Sequence, residues 1–362
     1  MRAPVLRPIV IAAGGTGGHF FPAEALAANL LARGERVVLM TDVRSTAAKS
    51  SVFADCEIHV LPGAGIAGRS ARRALAGAAA IARGTIAARR ILAPLSASVI
   101  VGFGGYPSVA PILAARSFRP RLRVILHDQN AILGKANQFL ARFADRIALS
   151  FPQTGGLPKN AKTVLTGNPT RPAITPAPYT PPEEAINLLV LGGSLGATAF
   201  ATLIPAALAR LPEALRSRIH LTMQCPATVI ETARAALASA GITATLAPFF
   251  QDVAGLLVAS HLVIARSGGS TVAELAVIGR PAILIPLRIN ADQRANAMAL
   301  ATAGGAVLIE QTEGDDSLAA ALQTLLMDTQ RLAAMAAAAA STGIADAAAR
   351  LAALTAELVT KS

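Results

Sequence analysis

Tryptophan is absent from the 362-residue chain and tyrosine occurs twice, leaving aromatic residues at 4% of the total. Surfaces that stack unpaired bases need aromatic faces in series, so this composition argues against a nucleic-acid partner. Cysteine is equally scarce: Cys56 and Cys225 lie far apart with no CxxC, and the five histidines show no HxxxH or HExxH spacing. That pattern argues against both a disulfide framework and a zinc centre. No GK[ST] follows any glycine run, which removes a Walker phosphate loop, and no DxD occurs, which disfavours a transferase that holds its donor through a metal. Neither a metal nor a cofactor is expected. Long apolar runs are missing too. The uncharged stretch 91–115 is broken by Pro94, Gly102, Gly104, Gly105, Pro107 and Pro111, so it reads as strand, loop and helix rather than a membrane span. The apolar run 9–13 behind Met1-Arg2-Ala3 is too short for a secretory signal and enters a glycine loop; it reads as a first strand.

Acidic side chains are the scarce sign: 33 basic residues face 21 acidic ones, for a net charge of +12. The imbalance belongs to one half. Residues 1–168 hold 21 basic and 7 acidic side chains, whereas 169–362 hold 12 and 14. Such asymmetry points to a polyanionic partner, and with few aromatics an anionic membrane surface is the one expected. If 69–90 forms one helix, Arg69, Arg72, Arg73, Arg83 and Arg90 fall within an arc of about 100°. Ala78, Ile81 and Leu92 then point roughly the other way, toward either the core or lipid, and Gly77 and Gly84 put the helix's continuity at stake. Peripheral docking on the cytoplasmic face of the plasma (inner) membrane, without a span, is the expectation.

Short apolar runs alternate with alanine-rich helical stretches, the pattern of parallel sheets covered by helices. The class is α/β. Expected strands are 9–12, 36–41, 57–61, 97–101 and 123–126, with helices such as 22–33 and 136–144 between them. Residues 166–182 read TGNPTRPAITPAPYTPP, whose prolines forbid a regular helix or a central strand. This is the linker. Strands at 187–191, 219–224, 243–246, 262–265, 282–285 and 306–309 follow it. The architecture expected is two doubly wound, Rossmann-like domains facing a cleft, 1–167 and 168–342, with a last amphipathic helix at about 343–362 packing back on the first.

Each half opens with a strand and a glycine loop and carries another loop later. Gly14-Gly15-Thr16-Gly17-Gly18-His19 stands where glycines let a backbone turn toward an anion at a helix N-terminus. A phosphorylated ligand fits that loop. Gly192-Gly193-Ser194-Leu195-Gly196 repeats the device, with a hydroxyl at Ser194, and Arg266-Ser267-Gly268-Gly269-Ser270-Thr271 does so again. Glu274 follows one turn into a helix, where a carboxylate either accepts ribose hydroxyls or complements the helix dipole. Gln293 and Asn296, at i and i+3 of another helix, present amides suited to sugar hydroxyls. His127-Asp128-Gln129-Asn130 follows an apolar strand, at the end where α/β proteins bind ligands.

GGTGGHFFPAEALA, GFGGYPSVAP, HDQNAILGKAN, GNPTRP, LGGSLGA, RSGGSTVAELAVIGRPAILIPL and DQRANA occur in order from Gly14 to about Ala303. Together they resemble the MurG family of peptidoglycan glycosyltransferases. The resemblance implies a GT-B fold and transfer of N-acetylglucosamine from UDP-GlcNAc to lipid I, the undecaprenyl-diphosphate-linked MurNAc-pentapeptide, forming lipid II with inversion. The acceptor would bind the first domain and the UDP-sugar the second. Thr16, Gly17, Gly18 and Asn130 match residues on the donor-sugar and acceptor side, Asn130 being a candidate catalytic residue as well, and Gly104, Gly105, Tyr106 and His127 match the acceptor side. Arg171 and Ser194 match diphosphate contacts. Phe250 stands where a backbone group meets uracil. Gly269, Ser270, Thr271, Val272, Ala273 and Glu274 match the nucleotide and sugar segment, and Gln293 the GlcNAc contact. The family commonly has HEQN where this chain has Asp128, a methylene shorter, which puts a catalytic part for that carboxylate in doubt. His19 is the candidate base, imidazole being the side chain best suited to general-base work near neutral pH; capping or orienting is its other reading. Another UDP-sugar enzyme of the same fold, a UDP-GlcNAc 2-epimerase or a lipid glycosyltransferase, is the alternative.

Overall fold

The computed structural model describes residues 7–14, 17–43, 50–62, 71–193 and 198–360, with the side chains of 71–75 and 360 left aside. The chain divides into two compact units, Met1–Arg171 with Asp346–Ser362, and Pro172–Ala345. In the first unit β1 (Ile9–Ala12), α1 (Gly17–Ala32), β2 (Val37–Thr41), β3 (Glu57–Val60), α2 (Ala71–Leu95) and β4 (Val99–Gly102) come first. They are followed by α3 (Gly105–Ala115), β5 (Arg123–Asp128), α4 (Lys135–Leu140), β6 (Arg146–Leu149) and β7 (Thr163–Leu165). All strands run parallel in the order β3-β2-β1-β4-β5-β6-β7. The runs IVIA, VVLMT and VIVG of β1, β2 and β4 are buried at every position, as strands covered on both faces must be.

The second unit repeats the plan with β8 (Ile186–Leu191), α5 (Phe200–Ala209), α6 (Glu213–Arg216), β9 (Ile219–Gln224), α7 (Ile230–Ser239) and β10 (Thr243–Ala247). Then come α8 (Val253–Ala259), β11 (Leu262–Ala265), α9 (Gly269–Ile278), β12 (Ala282–Leu284), α10 (Ala291–Thr302), β13 (Ala306–Leu308), α11 (Gly314–Leu326) and α12 (Thr329–Ser341). Its sheet is parallel in the order β10-β9-β8-β11-β12-β13. The chain then returns to the first unit, where α13 (Ala347–Thr360) lays Leu351, Leu354 and Leu358 against Phe20, Leu26 and Leu30 of α1. That spacing puts one apolar stripe of a helix on the core.

Several expectations shift. The first helix begins at Gly17 rather than Pro22, so Pro22 stands inside the helix instead of opening it. Short β6 and β7 extend the sheet where the sequence pattern was too brief to mark a strand. The 136–144 helix resolves into α4 and a 3-10 turn, Ala141–Phe143. The unit boundary falls after Arg171, not after residue 167.

Candidate active site

In open parallel sheets, ligands bind beyond the carboxyl ends of the strands where the strand order reverses. That point lies between β1 and β4 in the first unit, and between β8 and β11 in the second. The glycine loops singled out from the sequence leave these strands. Thr16 and Ser194 lie outside the described residues.

In the first unit a Cβ added at Gly14 would come within 2.7 Å of Thr41 Oγ1 and 2.9 Å of Asp42 Oδ1, so only glycine turns there. Past β4, Gly104 and Gly105 take φ of 82° and 66°, values that strain other residues. No side chain caps α3 at Gly104, which leaves its first-turn amides directed at whatever binds. The half-buried Tyr106 stands on that turn. Ser108 Oγ, 2.8 Å from the Ala12 carbonyl and 2.9 Å from that of Gly104, ties the two loops together. Sequence reasoning passed over this serine, whose only signal is a hydroxyl inside an apolar helix.

His19 is the third residue of α1, half-buried, with Gly17 and Gly18 ahead of it. Its Nδ1 lies 2.7 Å from Gln129 Oε1. A Cβ at Gly105 would stand 3.7 Å from its Nε2, so bare backbone borders that nitrogen. Strand β5 runs on through His127 and Asp128 and buries both. His127 Nε2 is 3.0 Å from the Gly167 carbonyl, and its Nδ1 is 2.9 Å from Gln129 Nε2. Burial pushes its pKa down to about 4. Asp128 is spent on folding: Oδ1 accepts from the Asn130 amide at 3.0 Å, and Oδ2 accepts from the Gly134 amide at 2.8 Å and from Asn137 Nδ2 at 2.9 Å. Burial raises its pKa against these donors. The geometry makes Asp128 the organiser of the 129–137 loop rather than a base. Asn130, half-buried, follows on that loop. Arg171 belongs to this first unit, its guanidinium 5.6 Å from the centre of the Phe21 ring.

In the second unit α9 starts at an extended Gly268 with no side-chain cap, so the amides of Gly269, Ser270 and Thr271 form an uncapped N-terminus. Ser270 Oγ is buried without a partner. Val272 and Glu274 are buried on α9, with Ala273 half-exposed between them. Ser267 Oγ donates to the Gln293 carbonyl at 2.8 Å, and Asn296 Nδ2 donates to the Ser267 carbonyl at 3.0 Å. Fully buried Asn296 thus holds the glycine loop. Gln293 Oε1 accepts from the Leu287 amide at 2.9 Å, which fixes the half-buried amide group and leaves its Nε2 as the donor end. Gln224, unremarked in the sequence, supports the other loop by accepting from the Gly192 amide at 3.2 Å. Phe250 is half-buried in the loop between β10 and α8. Arg266 is a strut, donating to the carbonyls of Ile285 and Pro286 and to Gln311 Oε1.

The expected helix is unbroken: α2 crosses Gly77 and Gly84, and a Cβ at Gly84 would lie 3.1 Å from Ala110 of α3, so glycine there lets the two helices approach closely. Arg83 and Arg90 are exposed. Ile86, between them in the sequence, is 54% exposed; of the residues expected to face the core or lipid, Leu92 is buried, Ile81 is half-buried and Ala78 is exposed. Arg69 lies outside the described residues, as do the side chains of Arg72 and Arg73. Among the described residues no helix is long and apolar enough to cross a membrane.

Residues 9–149 match the glycosyltransferase family 28 N-terminal domain, and residues 187–351 match the glycosyltransferase family 28 C-terminal domain. A protein of Acidiphilium cryptum named "UDP-N-acetylglucosamine--N-acetylmuramyl-(pentapeptide) pyrophosphoryl-undecaprenol N-acetylglucosamine transferase" is 64% identical over 97% of both chains. One of the same name from Granulibacter bethesdensis is 54% identical over 97% of this chain and 94% of its own. The crystal structure of Acinetobacter baumannii MurG superposes with a TM-score of 0.79 at 29% identity, covering 98% of this chain and 100% of that one. Two Rossmann-like units, glycine loops at both switch points and these likenesses lead to one conclusion: the chain belongs to glycosyltransferase family 28, in its MurG branch.

Proposed function

We propose that the chain transfers N-acetylglucosamine from UDP-GlcNAc to the MurNAc 4-hydroxyl of undecaprenyl-diphospho-MurNAc-pentapeptide, the step that makes lipid II for peptidoglycan. Identity of 64% over nearly the full length to a transferase of that name carries the reading. The second unit binds the donor. The uncapped N-terminus of α9, with Ser270, receives the diphosphate and ribose, Glu274 recognises the ribose, and Gln293 Nε2 reaches the GlcNAc hydroxyls. The first unit binds the acceptor, its diphosphate at the Gly104–Gly105–Tyr106 turn, where α3 presents free amides.

The chemistry is one displacement. The acceptor oxygen attacks the anomeric carbon and its proton passes to His19 Nε2. The bond from that carbon to the UDP oxygen breaks with its electron pair, through an oxocarbenium-like transition state that inverts the centre. Charge developing on the departing diphosphate is met by helix amides, and Arg171 is the cation that the family resemblance assigns to it, so no ion is asked to supply it. The protein works at the cytoplasmic membrane face, held peripherally by the basic surface of α2.

The test is transfer of label from UDP-[³H]GlcNAc into butanol-extractable lipid in the presence of the polyprenyl-diphosphate acceptor. A 2-epimerase would leave the label water-soluble. His19→Ala should lower kcat by a factor on the order of 10² or more while donor KM stays nearly constant, as loss of a base requires. Near-wild-type turnover would place the base elsewhere.

A further inference from the structure

Four groups of the first unit form an unbroken line: the Gly167 carbonyl, His127, Gln129 and His19, with separations of 3.0, 2.9 and 2.7 Å. The chemistry of the first member decides the protonation of all the others. A carbonyl oxygen only accepts, so the His127 Nε2 facing Gly167 carries a hydrogen. His127 is fully buried and neutral, its pKa pushed down to about 4, so its Nδ1 has a lone pair and no proton. Gln129 must turn its amide NH2 to that lone pair, and Nε2 is the atom found there. The amide oxygen is therefore the atom left for His19. Since Gln129 Oε1 only accepts, His19 Nδ1 must donate, and its neutral ring is confined to the tautomer with the lone pair on Nε2.

We propose that Gln129 and His127 are positioning residues which lock His19 as the Nδ1–H tautomer and so keep Nε2 unprotonated for the acceptor hydroxyl. In water a free histidine side chain prefers the opposite tautomer, with its proton on Nε2, so the lock opposes an intrinsic bias. An imidazole held in the wrong tautomer can cost a factor of ~10⁴ in turnover. Gly167 gains its own support: Thr166 Oγ1 lies 3.1 Å from the same carbonyl, and the Gly167 amide donates to Leu149 at the end of β6. The line is thus anchored in the sheet at one end and free at the other, bordered there by the bare backbone of Gly105. It explains why a histidine is buried at the end of β5, where it touches no solvent.

The inference rests on His19 as the base for its catalytic consequence, but the lock itself is observable without turnover. Long-range ¹H–¹⁵N correlation spectra of ¹⁵N-histidine-labelled full-length protein at neutral pH, with His19→Ala supplying the assignment, report which nitrogen carries the proton. The wild type should show His19 protonated on Nδ1 and His127 on Nε2. In Gln129→Leu the His19 pattern should shift toward the Nε2–H form, with kcat down about ten- to a hundredfold and donor KM within about twofold. Gln129→Glu keeps an acceptor oxygen toward His19 but has no N–H for the lone pair of His127 Nδ1, so it should hold His19 in the Nδ1–H form while the His127 signals move away from the wild-type pattern. A wild-type His19 protonated on Nε2, or a Gln129→Leu variant with unchanged tautomer and turnover, overturns the proposal. Retained activity in His19→Ala alone would instead overturn the base assignment, and the wild-type spectrum would still decide the lock.

Discussion

Arg280 should be the costliest single side chain to remove from the second unit. It is 1% exposed and has no carboxylate partner among the described residues. Six carbonyl oxygens surround its guanidinium instead, those of Leu257, Ala177, Ile278, Gly279, Pro178 and Val258, at 2.9 to 3.3 Å. Two of them, Ile278 and Gly279, close the carboxyl end of α9, where a cation offsets the helix dipole. Two more, Leu257 and Val258, belong to α8, and Ala177 and Pro178 belong to the proline-rich segment, where Tyr179 covers the guanidinium from 5.6 Å. One side chain thus fastens three segments. Hydrogen bonds to a charged group are worth roughly 1.5–3 kcal/mol each, yet burying the charge costs several kcal/mol. Removal of the arginine should then cost about 3–5 kcal/mol, the range for breaking a buried charge network. At ~2–4 °C per kcal/mol for a unit of this size, Arg280→Met should lower its thermal midpoint by about 10 °C. Differential scanning calorimetry of the intact chain measures this, and Arg280→Lys, with fewer donors, should fall between. The 177–179 segment should also become sensitive to limited proteolysis. An Arg280→Met midpoint within about 2 °C of wild type would refute the reasoning.

On the donor side, Glu274→Ala and Gln293→Ala should each raise the UDP-GlcNAc KM, or lower kcat/KM, by about tenfold, since a lost ligand hydrogen bond costs about 1–3 kcal/mol; unchanged donor kinetics in both variants would sink these assignments. Activity should persist fully in EDTA, because helix amides rather than a carboxylate cluster face the diphosphate, and an absolute requirement rescued by magnesium or manganese would count against that. Liposome co-sedimentation should need anionic lipid, weaken with salt and drop when Arg72, Arg73 and Arg83 become Glu; equal binding to neutral vesicles would take α2 out of the membrane contact.

Much of this molecule is written locally. Buried parallel strands such as IVIA and LVIA need apolar side chains on both faces, so their composition announced them, and the bounds Ile9–Ala12, Ile219–Gln224 and Leu262–Ala265 could be read directly from the chain. Glycine clusters after β1, β4, β8 and β11 marked the candidate phosphate loops, and close approach excludes a Cβ at Gly14. The prolines of 166–182 likewise forbade regular structure. Other features depend on partners distant in the chain. β6 exists because β5 offers an edge to pair with and β7 because β6 does, and their short runs carry no signal of their own. Gly84 looked like a helix breaker, and only the approach of α3 explains it. Asp128 looked like a candidate acid or base in a polar tetrad; three N–H donors from its own loop make it a structural carboxylate. Asn296 and Gln293, neighbours on one helix face, separate into a fully buried strut on Ser267 and a half-buried amide that accepts from Leu287. The line from Gly167 through His127 and Gln129 to His19 joins residues 148 positions apart. A tautomer is set by which atom each nitrogen meets, and that is decided only when the chain has folded.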